Sequence, residues 1–120
     1  DIKTTIEEAM AAARAGDLPR ALGAAEAILK RNPSEPNALQ ILGLVKWRQA
    51  RNAEALDAFL RADRAAPNHA PILNSIGILY RERGDLAASR AALEKAVRAV
   101  PGFADAWHNL GSTLAALGEG

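Results

Sequence analysis

His69 and His108 are the only imidazoles in this 120-residue sequence, 39 positions apart, and neither sits in an HExxH segment that would pair it with a second metal ligand. Ser34, Ser75, Ser89 and Ser112 lack a GxSxG turn, cysteine is absent, and no glycine-rich phosphate loop occurs. The 14 carboxylates are scattered at helix-surface spacing, as in Glu94 and Arg98, an i,i+4 pair whose ordinary place is a solvated face. Nucleophilic, metal-assisted and phosphoryl-transfer chemistry therefore find no residue set here. A non-enzyme without metal or cofactor is the expectation. What remains are groups suited to recognition: the amides of Gln40 and Asn74, the guanidinium groups of Arg48 and Arg81, and the indoles of Trp47 and Trp107.

The elements that hold these groups must be helical. There are 28 alanines, 4% aromatic residues and few β-branched ones, a composition of closely packed helices rather than sheets. With 49% hydrophobic and 24% charged residues, the chain can bury a core and is not disordered by composition. A net charge of +1 gives no general attraction to nucleic acid or an anionic membrane. Arg48, Arg81 and Arg83 make a modest basic patch, but stacking platforms for bases are missing, so no nucleic-acid partner is expected. No apolar run approaches the ~20 residues that cross a bilayer, so no membrane partner is expected either. Lack of cysteine leaves the redox compartment open. Without a signal-like N-terminus the cytoplasm is the expected location, although a segment preceding Asp1 would leave no trace here.

The sequence repeats itself. Pro33, Pro67 and Pro101 are spaced by 34, and so are Gly43, Gly77 and Gly111; Leu39, Leu73 and Trp107; and Leu42, Ile76 and Leu110. Each period reads as two short helices, giving seven in all, near 3–15, 18–31, 37–49, 53–65, 71–83, 87–99 and 105–117. Ser34, Asn68 and Gly102 are expected to cap the first helix of a period, and Asp17, Asn52 and Asp85 the second. Pro36 and Pro71 fit the first helical turn, where the missing N–H costs nothing. Gly16, Gly84 and Gly118 fit left-handed helix ends, and Ala50 takes that place in the second period.

The chain resembles the tetratricopeptide repeat family, whose 34-residue helix–turn–helix carries W-x2-L-G-x2-Y, then Ala, an aromatic residue and Pro. Trp107, Leu110 and Gly111 match in order, as do Leu73, Ile76, Gly77 and Tyr80, and Ala55, Phe59, Ala62 and Pro67. The resemblance implies an all-α fold: a right-handed α-solenoid of antiparallel helix hairpins. A single domain over 1–120 would hold repeats 2–35, 36–69 and 70–103 and the first helix of a fourth, 104–120. Thr5, Glu8 and Ala9 replace the pattern residues of the first repeat, as in a polar terminal cap. A subtype that grips C-terminal carboxylates with Lys, Asn, Asn, Lys and Arg is not matched. Those places hold Ile6, Met10, Ile41, Pro71 and Ser75, and a one-repeat shift gives Gln40, Leu44, Ser75, Asp105 and Asn109.

At roughly 100° per residue, Leu73, Ile76, Gly77 and Tyr80 form one buried stripe, answered by Ala55, Phe59 and Ala62 on the second helices. The glycines are expected to let paired backbones approach closely. About 140° from the centre of that stripe lie Asn74, Ile78, Arg81 and Glu82, with Gln40, Leu44, Trp47 and Arg48 one period earlier and His108, Ser112, Ala115 and Ala116 one later. In proteins resembling this one, that face lines a concave groove for extended peptides. Gln40, Asn74 and His108 would then hydrogen-bond peptide backbone, Leu44, Trp47 and Ile78 would give an apolar anchor, and Arg48 and Arg81 would meet a carboxylate. Removing Trp47 and Asn74 together is expected to abolish binding and leave the melting temperature nearly unchanged.

The expected function is a protein–protein interaction scaffold that binds a peptide or partner segment. Two alternatives are a recruiting domain of a longer bacterial enzyme and self-assembly through the last helix. The sequence is expected to be a fragment, in which Trp107, Leu110 and Leu114 lack a covering helix and could join a second copy as a homo-oligomer.

Overall fold

A computed structural model describes residues 2–118, with side chains from Thr5 onward. Among these residues there are seven α-helices and no strand: α1 (Ile2–Ala15), α2 (Leu18–Arg31), α3 (Pro36–Arg48), α4 (Asn52–Ala65), α5 (Ala70–Arg83), α6 (Leu86–Ala99) and α7 (Ala104–Ala116). Each boundary agrees with the expected one to within a residue. Residues 119–120, the end of the expected partial fourth repeat, lie outside the described residues.

Local chemistry sets the ends. Asp17 and Asp85 cap α2 and α6 by accepting from the backbone N–H of Arg20 and Ala88. Asn52 is the first residue of α4 rather than its cap. The first helices also depart from expectation, since their caps are Glu35, His69 and Phe103, one residue beyond Ser34, Asn68 and Gly102. The reason is a β-turn. The Glu35 N–H donates to the Asn32 carbonyl at 3.1 Å and the Phe103 N–H to the Val100 carbonyl at 3.0 Å, which places proline and its successor at the turn's two centres. Asn68 reaches φ 66°, a backbone that an N-cap does not adopt. Glu35 then caps α3 through a 2.7 Å bond from the Ala38 N–H.

At the other ends, Gly16, Gly84 and Gly118 take φ of 83°, 90° and 79°. Ala50 takes φ 61° at the corresponding place, a left-handed conformation that burdens any residue with a β-carbon. The acid–base pairs are exposed and weak: Arg51–Glu54, Asp57–Arg61 and Arg90–Glu94, so the partner of Glu94 is Arg90 and not Arg98.

The chain forms two compact units, residues 1–65 and 66–120. In the first, α1 packs on α2, α2 on α3 and α3 on α4, and α1 also touches α3. Small residues make this packing close: Ala9, Ala12, Ala13, Ala21 and Ala25 are buried with Ile28, Ile41 and Val45 in one apolar cluster. In the second unit α5 packs on α6 and α6 on α7, around Leu73, Leu93, Val97, Ala106 and Leu110.

Gly43 and Gly77 serve a different purpose from the expected backbone approach. A β-carbon on Gly43 would lie 2.8 Å from the Phe59 ring, and one on Gly77 would lie 2.5 Å from Leu93 Cγ. Each glycine is a hole on a first helix, filled by a large side chain of the second helix of its own hairpin. A β-carbon on Gly111 would meet nothing within 4 Å.

Candidate functional site: the outer faces of the first helices

In the first unit α3 carries Gln40, Leu44 and Trp47, all half-buried, and exposed Arg48, with Trp47 one turn after Gly43 on the side that meets α4 rather than on the expected open face. Trp47 stands edge-on to Phe59, with ring centroids 6.2 Å apart and planes at 82°. This is a favourable aromatic geometry, and it fixes the indole while leaving part of it accessible. Arg48 is engaged within the unit, where its guanidinium donates to the Ala13 carbonyl in the last turn of α1. It therefore ties α3 to α1 through a helix-end carbonyl that also accepts from the Gly16 N–H at 3.1 Å.

In the second unit Asn74, Ile78 and Arg81 are half-buried on α5, and His108 is exposed on α7. Arg81 is held by α7, donating to the Asn109 carbonyl at 2.9 Å, to Asn109 Oδ1 at 3.2 Å and to Thr113 Oγ1 at 3.3 Å. Asn109 Nδ2 donates to Asn74 Oδ1 at 3.0 Å. The structure thus pairs Asn74 with Asn109, which the 34-residue column does not contain, while exposed His108 takes part through its carbonyl, which accepts from Ser112 Oγ at 3.2 Å. Thr113 Oγ1 lies 3.0 Å from Ser89 Oγ, which donates to the Gly77 carbonyl at 2.7 Å. Ser89 and Thr113 are fully buried.

This polar chain was detectable as a joint departure. Ser89 stands in the column of Ala21 and Ala55, and Thr113 in that of Val45 and Leu79. Two polar residues in apolar columns must satisfy one another or find a third partner, which here is Arg81. The guanidinium keeps its Nε–H and one further N–H for an external acceptor. Held in place by three bonds, it loses little side-chain freedom on binding.

Among the residues expected to meet a second copy, Trp107 is 51% exposed, and its Nε1–H donates to the Pro101 carbonyl at 2.7 Å. Leu114 is half-buried, whereas Leu110 is buried in the cluster with Leu93 and so faces α6 rather than solvent. Elsewhere in the first unit, a surface depression of about 760 Å³ is lined by Leu29, Leu42 and Ala27, with Lys30 and Arg31 beside them. Among the described residues no group of three or more potential metal ligands occurs, and no helix is long and apolar enough to cross a membrane.

Known structures share this architecture. An O-GlcNAc transferase mutant from Thermobaculum terrenum matches with a TM-score of 0.87 and 25% identity over 94% of this chain, which spans 22% of that protein. MamA from Desulfovibrio magneticus RS-1 matches with a TM-score of 0.84 and 24% identity over 99% of this chain and 67% of its own. A tetratricopeptide repeat protein of Thermus thermophilus matches with a TM-score of 0.81 and 19% identity, covering 99% of this chain and 66% of its own. A comparison with curated proteins returns no match. The tetratricopeptide repeat pattern itself matches residues 6–70 and 75–120. With the 34-residue period, the filled glycine holes and the helix pairs, that match over most of the sequence places the chain in the tetratricopeptide repeat family.

Proposed function

We propose that the chain is an interaction module whose first-helix faces bind an extended segment of a partner protein. Scaffolding of protein–protein contacts is the general role of the family, in which catalysis is not the rule. The observation that carries the finer reading is the Asn74–Asn109–Arg81 cluster: two amides and a guanidinium held together on one face of the second unit. Amides satisfy the N–H and C=O groups of an extended backbone whatever its sequence, and the remaining Arg81 donors suit a carbonyl or carboxylate. In the first unit, Leu44 and the accessible part of Trp47 give an apolar contact beside Gln40.

The test is selection of a random-peptide display library on the wild type and on Leu44→Glu/Asn74→Ala, with Trp47 retained because it packs on Phe59. Peptides enriched on the wild type should lose at least about tenfold in affinity on the variant while the helical circular dichroism stays the same. A second variant, Gln40→Ala/Ile78→Glu, covers the case in which the first is unstable. Unchanged affinity on both folded variants, or no enrichment on the wild type, overturns the reading.

A second reading is that the chain recruits substrates or partners for a catalytic domain in a longer bacterial enzyme. It rests on the transferase match, in which this chain covers 22% of a protein named for its activity. The reading frame that contains these 120 residues tests it, because a catalytic domain beside them would carry its own motifs.

A further inference from the structure

Arg81 carries a charge that no described residue neutralises. Its three hydrogen bonds go to the Asn109 carbonyl, Asn109 Oδ1 and Thr113 Oγ1, all neutral acceptors, and the ion pairs among the described residues do not include it. The side chain is half-buried and runs from α5 to α7. Nη1 and Nη2 both reach Asn109, so the edge they share is taken, and Nε–H with the outer Nη2–H makes the free edge. Those two N–H bonds are parallel and spaced to meet both oxygens of one carboxylate.

The arginine also sets the amides beside it. A guanidinium has donors only, so Asn109 must turn Oδ1 towards it, which leaves Nδ2 for Asn74. Asn74 must then answer with its own oxygen, at 3.0 Å, and keeps both hydrogens of its Nδ2. Each amide oxygen of the cluster therefore already holds a hydrogen, while the unused hydrogens are two on Arg81, two on Asn74 and one on Asn109. Among the described residues no buried side-chain nitrogen lacks a partner, so Arg81 Nε and Asn74 Nδ2, which have none, lie within reach of solvent. Half-buried Ile78, four residues after Asn74 and three before Arg81, puts an apolar side chain on the same face, where a charge-assisted bond is stronger than in open water.

A positive charge surrounded by free N–H groups favours an anion over a neutral amide and repels a cation. We infer that the Arg81–Asn74–Asn109 cluster selects a carboxylate on the bound segment. The free edge of Arg81 and one N–H of Asn74 hold it, and Asn109 is the residue that positions both. This inference rests on the peptide-binding reading of the same face and gives its ligand a chemical class, a segment that brings a carboxylate to this point rather than any extended backbone.

The test uses the wild-type 120-residue chain, Arg81→Gln and Asn74→Asp. Asn74→Asp keeps the oxygen that accepts from Asn109 and exchanges Nδ2 for a second oxygen, so it covers the case in which Arg81→Gln does not fold. A random-peptide library displayed with free C-termini is selected on the wild type. Each enriched peptide is then made as selected, with Asp and Glu replaced by Asn and Gln, and with an amidated C-terminus. One altered form should bind the wild type at least about tenfold more weakly, the first naming a side-chain carboxylate and the second a chain end. Both protein variants should bind the selected form about tenfold more weakly than the wild type does, yet bind that altered form equally well, because the lost groups have no partner there. A purely structural role for Arg81 would weaken every form alike, and that result overturns the inference. Enriched peptides whose affinity depends on neither carboxylate overturn it too and leave the peptide-binding reading standing, whereas a library with no enrichment overturns both.

Discussion

Thr113 Oγ1 and Ser89 Oγ are 3.0 Å apart in the buried interior of the second unit, and the direction of their hydrogen bond is determined. Ser89 has one hydroxyl hydrogen and gives it to the Gly77 carbonyl, so Thr113 is the donor to Ser89 and the acceptor from Arg81. Arg81, Thr113, Ser89 and Gly77 thus form one directed chain across α5, α6 and α7. Removing one hydroxyl strands its neighbour, whereas removing both restores the apolar types found elsewhere in those columns. Ser89→Ala and Thr113→Val should each cost about 1 kcal/mol, and the double variant clearly less than their sum. Urea titrations of the four proteins measure the coupling, and strict additivity would show that the two hydroxyls act independently.

The two kinds of glycine should answer an added methyl in opposite ways. Gly77→Ala pushes against Leu93 Cγ, a branched atom near its own backbone, and should cost about 1–3 kcal/mol. Gly111→Ala meets no atom and replaces a poor helix former, so it should gain up to about 1 kcal/mol. Thermal melts of both variants test this contrast. A stabilised Gly77→Ala would mean that Leu93 can move aside without loss.

Ala50 holds φ 61° where the equivalent helix end of the second unit has Gly84 at φ 90°. A left-handed alanine is strained by contact of its β-carbon with the backbone. Ala50→Gly should therefore stabilise the chain by up to about 1 kcal/mol, after its greater unfolded-state freedom is set against the relieved strain. Ala50→Val, with a branched β-carbon, should lose stability. Melting temperatures that rank Val above Gly would contradict the strain argument.

Trp47→Ala should lower stability by about 1–3 kcal/mol, because the indole is partly buried and its edge contact with Phe59 is lost. This revises the expectation that Trp47 can be removed without effect on the melt. Arg48→Ala should also be destabilising, by up to about 1 kcal/mol, through loss of its bond to the Ala13 carbonyl, which keeps the Gly16 N–H at 3.1 Å. A differential scanning calorimetry trace unchanged by Trp47→Ala would return that residue to a purely recognition role.

The 34-residue columns were enough to place seven helices and their stacking faces, because proline, glycine and aspartate act locally on the backbone. The one-residue error at Ser34, Asn68 and Gly102 has a local cause too. Residues that cap helices also occupy turn centres, and proline before them favours the turn. The candidate site was legible by column in Gln40 and Asn74 but not in its pairings. Asn109 joins Asn74 from a different column, and Arg48 and Arg81 are occupied by carbonyls that no spacing rule encodes. Side-chain reach between helices decides such contacts, and a period measured along the chain does not contain it.

Phe59 and Leu93 each fill a hole made by a glycine 16 residues earlier. Both members of the fit therefore travel in one short stretch of sequence. Such a hairpin can find its alignment before its neighbours form, with a small loop-closure cost and little dependence on total chain length. Gene duplication or loss of a 34-residue segment would copy or delete the matched pair together, so the number of units can change while the internal alignment of each is preserved.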